Sequence, residues 1–394
     1  MSVSGATPTA GASKGATALL RGGLGQWSAL AALAGIWLTF QALNPRFLSA
    51  INLTNLVLQS TALGTIAIGV VLVLMIREID LSVGAVSGFG AAVVAVLNVK
   101  AGWPAAAAIA AGLAVGAAVG GAHGLLVTGL RLPSFVVTLA GLLAWQGALF
   151  FVLGETGTVN LQDPAMTALA GTFLSPGVGW ALGCVAVAAY AAVVWRRSRA
   201  RGDHEAGSAT GLAVRVLAAA AVGAALVAVF NADRGMPLVA VVFLVLVVLF
   251  DGLMTRTAFG RHARAIGSDP DVAARAGIGV DRVRLAIFAL TSVLAVTGGI
   301  IAASRLLAVN QSSGSTDLML SAIAAAVIGG TSLFGGRGSI WSALFGSLVI
   351  GSVGNGLDLL GVSSSVRFVV TGSVLIIAVA LDTFSRRAAA SAYE

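Results

Sequence analysis

The chain has 394 residues, 58% of them hydrophobic and only 10% charged, with a mean hydropathy of +0.99; soluble proteins carry about 25% charged residues, so this one belongs in lipid. At about 20 residues per spanning helix, the length holds roughly 10 to 13 helices and leaves no room for a large soluble domain. The net charge of +8 would suggest nucleic acid in a soluble protein, but in a membrane protein Lys and Arg set topology, so secreted, fibrous and nucleic-acid-binding readings are excluded.

Residues 1–26 are small and polar around Lys14 and Arg21 and lack the compact apolar region and cleavage site of a signal peptide. They read as a disordered cytoplasmic tail, followed by one membrane domain over 27–385 and a second short tail, 386–394. Apolar runs predict helices near 27–43, 55–76, 82–97, 103–129, 134–153, 178–195, 212–230, 237–254, 285–304, 318–334, 340–359 and 366–382, an all-α polytopic bundle of about twelve. With the amino terminus inside, most Arg falls on inner segments, including an arginine-rich loop at 195–211. The long outer stretch 154–177 holds Glu155 and Asp163 but no base. The asymmetry places both termini in the cytoplasm. Glycines such as Gly112, Gly116 and Gly120 are spaced for close helix contact, which suits a tightly packed bundle.

The chemistry of an enzyme or pump is missing. A phosphate-cradling loop needs lysine in G-x-x-x-x-G-K-[ST], and neither Lys14 nor Lys100 has that context. Helix centres are nearly free of the ionisable residues of a proton or sodium relay: Asp251, Asp358, Asp382 and Glu155 fall at predicted helix ends, and His123 toward the inner end of its helix. His123, His204 and His262 are scattered and Cys184 is the single cysteine, so no disulfide framework, metal site or nucleophile–base pair is expected.

Three segments carry information, in chain order. Arg77-Glu78-Ile79-Asp80-Leu81-Ser82-Val83-Gly84 puts three charges after an apolar run; it is either a helix-end cluster at the membrane boundary or a broken segment lining a path or gate. Residues 255–284 contain a short helix: Asp269 caps it, Pro270 takes the first position, Asp271 suits the positive end of the dipole and Gly277 offers a left-handed stop. Two turns are unstable alone, so this helix is braced by the membrane domain or presented to a cytoplasmic partner. Residues 322–338 end a helix in four glycines around Thr331 and Ser332, a tight re-entry at the inner face.

The stretches EIDLSVG (78–84), LPSFVVTLAGLLAWQG (132–147), TRTAFGRHARAIGSDPDVAARAGIGVDRVRLAIFAL (255–290) and AIAAAVIGGTSLFGG (322–336) together resemble the sugar-type permease subunits of bacterial ATP-binding-cassette importers, the ribose, xylose, arabinose and galactose group. The chain is most similar to the xylose type, which has a comparable arginine-rich insertion followed by an extra helix. The resemblance implies a homodimeric pore in the bacterial inner membrane, surrounded by lipid, with a cytoplasmic ATP-binding subunit below and an extracytoplasmic sugar-binding protein outside. It implies no catalysis and no cofactor in this chain, ATP and Mg lying on the partner. Residues 264–278 would be the coupling element, with Ile266, Gly267, Ser268, Asp269, Asp271, Ala273, Ala274 and Gly277 at the ATPase. Ser268-Asp269 stands where the family usually has Gly-Asn, and Ser321 where it usually has Asp.

A sugar crossing without a high-affinity site needs hydrogen-bond partners rather than charges. Asn55, Gln59, Asn310, Gln311 and Asn355, with Asp80, Ser82 and Gly84 of the broken segment, are therefore the candidate path and gate. A permease for another monosaccharide or a nucleoside, and a stand-alone secondary sugar carrier, are the alternatives.

Overall fold

A computed structural model describes residues 30–200 and 206–373, together with 376 and 380; both expected tails lie outside the described residues. The all-α expectation holds. Helix α1 is Leu30–Leu43. It is followed by α2 (Ala50–Met75), α3 (Val83–Ala95, prolonged by a π turn Val96–Lys100), α4 (Ala105–Gly129) and α5 (Ser134–Leu153). Then come α6 (Pro164–Gly171), α7 (Pro176–Ala200), α8 (Ala206–Asn231), α9 (Leu238–Arg256), α10 (Ala258–Ser268), α11 (Pro270–Arg275), α12 (Val280–Leu306), α13 (Thr316–Ile328) and α14 (Trp341–Leu359). A last helix, α15, runs through 364–373. Among the described residues nine helices are long and apolar enough to cross a membrane, and α1 and α13 are shorter apolar helices.

α2 is the axis. Its second half, residues 66–75, is apolar all round, and 89% of the helix's most apolar window is buried, as a stretch without a polar stripe requires. α12, α14, α13 and α9 surround it. Small residues let the backbones approach: a Cβ at Gly69 would press on the Thr291 backbone, and the Thr291 hydroxyl donates to the Gly69 carbonyl at 3.1 Å. This is how helices associate where lipid gives no hydrophobic drive.

Two expectations need correction. The arginine-rich loop at 195–211 is mostly helix, since α7 runs to Ala200 and α8 starts at Ala206; without proline, its Ala and Arg residues continue the helix. The predicted helix at 318–334 stops at Ile328, because Gly329 and Gly330 end it and Gly330 takes φ +105°.

Opposite ends of the bundle differ. One carries Arg77, Arg131, α10, α11 and Arg337. The other carries two short antiparallel pairings: β1 (Thr158–Asn160) with β4 (Ala308–Asn310), and β2 (Phe173–Leu174) with β3 (Met236–Pro237). There Asn98 in the π turn donates to Asp163 at 2.8 Å. That bond is the main reason the Asp163 carboxyl is held below the usual carboxylate range, helped by the amide of Ala165 at the start of α6.

Candidate functional site

The three informative segments meet at the basic end. Arg77 leaves α2 in the left-handed region (φ +63°) and its guanidinium donates to the Ser268 carbonyl at 2.5 Å. Gly267 packs on the Met75 carbonyl, where any Cβ would collide, and the Gly336 amide donates to that same carbonyl at 3.2 Å. Glu78 pairs with Arg284 of α12 at 2.8 Å, both mostly buried. A shallow cavity of about 640 Å³ between Arg77, Ile79, Leu333, Phe334, Gly335 and Arg337 opens on this face.

α10 and α11 form a helical elbow on this face. Thr257 caps α10. Asp269 ends α10 and caps α11, its Oδ1 accepting from the amides of Asp271 (2.9 Å) and Val272 (3.0 Å). The Val272 amide is the main reason the Asp269 carboxyl sits below its ordinary value. Gly277 closes the elbow at φ +81°. Of the expected coupling residues, Ile266, Gly267 and Ala273 are buried against the bundle, while Ser268, Asp269, Asp271, Ala274 and Gly277 are exposed. The buried and the exposed residues are two sides of one element.

From Arg77 the chain runs extended into the bundle. Backbone groups off a helix need partners inside a membrane, and α5 supplies them: Ser134 accepts from the Ile79 amide (3.3 Å) and Thr138 donates to the Ile79 carbonyl (3.2 Å). Asp80, 1% exposed, accepts at Oδ1 from the Ser82 amide (2.8 Å) and hydroxyl (2.6 Å) and so caps the approach to α3. Ser82 Oγ stands 3.5 Å from His123 Nδ1, and Trp145 Nε1 donates to His123 Nε2 at 3.0 Å. The Trp145 bond assigns the imidazole proton to Nδ1, facing Ser82. The Asp80–Ser82–His123–Trp145 chain ties α3, α4 and α5 at the depth of Gly141. His123 and Trp145 were missed from sequence, where a lone histidine 43 residues from Asp80 carries no spacing signal.

α3 in turn forms one wall of a second cavity, of about 340 Å³, at the opposite end. Loop 312–315 seats on α3 at Gly84 and Gly88, Gly314 adopting φ +75° to do so. The cavity lies between α2, α3, α12, α13, α14 and Arg367 and contains Gln59, Arg305, Asp317, Ser321 and Asp358. The expected path residues therefore divide. Gln59 lines this cavity. Asn55 accepts from Arg234 (3.2 Å), and Asn355, 4% exposed, pairs with Asn52 (2.8 Å) between α2 and α14. Asn310 and Gln311 are in and beside β4, Asn310 Oδ1 accepting from the Ser312 amide and the Gln311 carbonyl from Gln146. This cavity holds two arginines and two aspartates.

Residues 52–379 match the family described as branched-chain amino acid transport system / permease component. The chain is 36% identical to the xylose transport system permease protein XylH of Escherichia coli (strain K12) over 388 residues, 97% of each chain. It is 37% identical to XylH of Haemophilus influenzae over 363 residues, 91% of this chain and 96% of that one. It is 35% identical to the ribose import permease protein RbsC of Bacillus subtilis over 343 residues, 86% and 87%. No solved structure matches the chain at a significant level.

Proposed function

We infer the function from one premise: the chain belongs to the branched-chain amino acid transport system / permease component family. It is a multi-pass membrane protein and the permease subunit of a sugar importer, a transport component rather than an enzyme. Its nearly full-length similarity to two xylose permeases favours xylose or another pentose as cargo. ATP and Mg are handled by a separate cytoplasmic ATPase, a sugar-binding protein delivers the cargo from outside, and two copies of the chain in the inner membrane form the working unit. Both termini are cytoplasmic.

The observation that carries the coupling is the junction of Ser268, Arg77 and Gly336 around the end of α2. ATP-driven closure of the partner, gripping Ser268, Asp269, Asp271, Ala274 and Gly277 and the open cavity beside Arg337, moves the α10–α11 elbow. Arg77 passes that motion to the extended segment, and Asp80 and Ser82 pass it to α3 and the wall of the opposite cavity. Coupling of this kind runs through contiguous packed elements with two arrangements. Gln59 lies on the path, with Gly84 where the loop must slide; Asn55, Asn310, Gln311 and Asn355 act at its outer rim and in the helix contacts that frame it.

Reconstitution into proteoliposomes tests this. Pentose uptake should require the ATPase, ATP and the binding protein together. Uptake driven by an ion gradient without nucleotide would identify a secondary carrier instead.

A further inference from the structure

Four polar side chains of the 340 Å³ cavity, three half-buried and Arg305 exposed, face it without a protein partner among the described residues. Gln59 on α2, Arg305 at the end of α12, Asp317 in the first turn of α13 and Ser321 one turn on all line it. None makes a hydrogen bond or a contact ion pair with another described residue. Arg305 is attracted by Asp358, but that carboxylate is already held by Arg367 at 2.9 Å. A guanidinium presents five donors and a carboxylate two acceptor oxygens. Left facing a half-enclosed space at the end of a membrane span, such groups are held by water or by a ligand that reproduces its bonds.

The charges choose the ligand. Two arginines and two aspartates cancel, so the cavity as a whole favours neither anion nor cation, while each group alone can grip adjacent hydroxyls. Its volume is at the small end of the roughly 300–1,000 Å³ range of ligand pockets, enough for one small molecule. We propose that this cavity is a resting site for a single neutral monosaccharide, Arg305 donating to its hydroxyls, Asp317 accepting from them, and Gln59 and Ser321 completing the shell. The proposal rests on the importer reading and adds a binding site to it. The external protein hands the sugar to a site of moderate affinity inside each permease subunit.

The test uses the full-length permease with its ATPase in nanodiscs, without the sugar-binding protein, and D-xylose as the probe, with binding read by saturation-transfer NMR. Wild type binds D-xylose and excludes its carboxylate analogue xylonate. Arg305→Leu and Asp317→Asn each weaken D-xylose binding by about tenfold or more, the scale of a lost charged hydrogen bond. Asp317→Asn, with one net positive charge, now accepts xylonate. That gain cannot come from misfolding, and the melting temperature of Arg305→Leu checks the other position. No D-xylose binding to wild type, or binding unaltered in both variants, overturns the site. ATP-driven uptake by the wild-type complex with its binding protein is measured in parallel. Uptake that persists in both variants with unchanged rate also overturns the site while leaving the importer reading standing, whereas a wild-type complex that moves no monosaccharide overturns that reading.

Discussion

Thr138 and Ser134 stand one turn apart on α5 and hold both backbone polar groups of Ile79 where the chain has left α2 and not yet begun α3. Thr138→Val keeps the shape and removes the hydroxyl, taking a donor from the Ile79 carbonyl (3.2 Å) and from the Ser134 carbonyl that it also reaches (2.8 Å). The expected loss is about 1–3 kcal/mol, seen as a lower melting temperature of the purified permease, with Thr138→Ser near wild type. A melting temperature unchanged in the valine variant would remove Thr138 from this role. At the basic end Asp269 acts similarly for α11, but by charge. Its carboxyl titrates below its ordinary value because the folded helix start favours the ionised form. The capping stabilisation is therefore complete above the unfolded carboxylate pKa of about 3.9 and is lost as pH falls through the lower folded value. Asp269→Asn keeps the cap without titrating. Hydrogen exchange at Val272, corrected for intrinsic rate, is expected to lose protection at acid pH in wild type and not in the asparagine variant.

On the scale of elements, α10 and α11 form an elbow with distinct sides. Ala273 is 3% exposed and packed on the bundle, whereas Ala274 is exposed beside it. A tryptophan at 273 overpacks a filled contact and destabilises the permease itself by about 1–3 kcal/mol. At 274 it alters the permease by no more than about 0.5 kcal/mol. On the proposed docking the same ring wedges against the ATPase by about 1–3 kcal/mol and is expected to weaken association about 5- to 150-fold. Co-purification of the ATPase, alongside melting of each permease alone, separates the two. Equal behaviour of Ala273→Trp and Ala274→Trp in both assays would show that the elbow has no presented side. The α7–α8 hairpin is a different kind of element. Each helix has only 6% of its apolar window buried, and Val185, Leu217 and Val222 are among its exposed side chains. An apolar surface of this extent requires lipid or a second copy of the chain.

The molecule as a whole is polar in the electrical sense: arginines gather at the end bearing α10, α11 and Arg337, away from the end bearing the strand pairs. The positive-inside rule supports the proposed orientation, with that end inward. In a Cys184→Ser background, since Cys184 is exposed, a cysteine at Ala274 is expected to react with an impermeant maleimide only from the cytoplasmic side and one at Ser312 only from the outside. Labelling of Ala274→Cys in intact cells would invert the protein and the proposed coupling with it.

Hydropathy alone specified the class, because burying an unpaired backbone in lipid leaves only helices for such apolar runs. Local signals did the same for α11: Asp269, Pro270 and Gly277 act within a few residues, so their roles follow from spacing. The cavity and the polar chain are different. Gln59, Arg305, Asp317, Ser321 and Asp358 lie at helix ends or on helix faces that are unremarkable one at a time, and Asp80, His123 and Trp145 are separated by tens of residues. Which of them meet depends on helix rotation and crossing, set by long-range glycine contacts such as Gly69 on Thr291 and Gly84 on Gly314. No local pattern encodes those contacts. The amides show the consequence: Asn55, Gln59 and Asn355 are equivalent by polarity, yet only tertiary packing turned Gln59 to the cavity and gave Asn55 to Arg234 and Asn355 to Asn52.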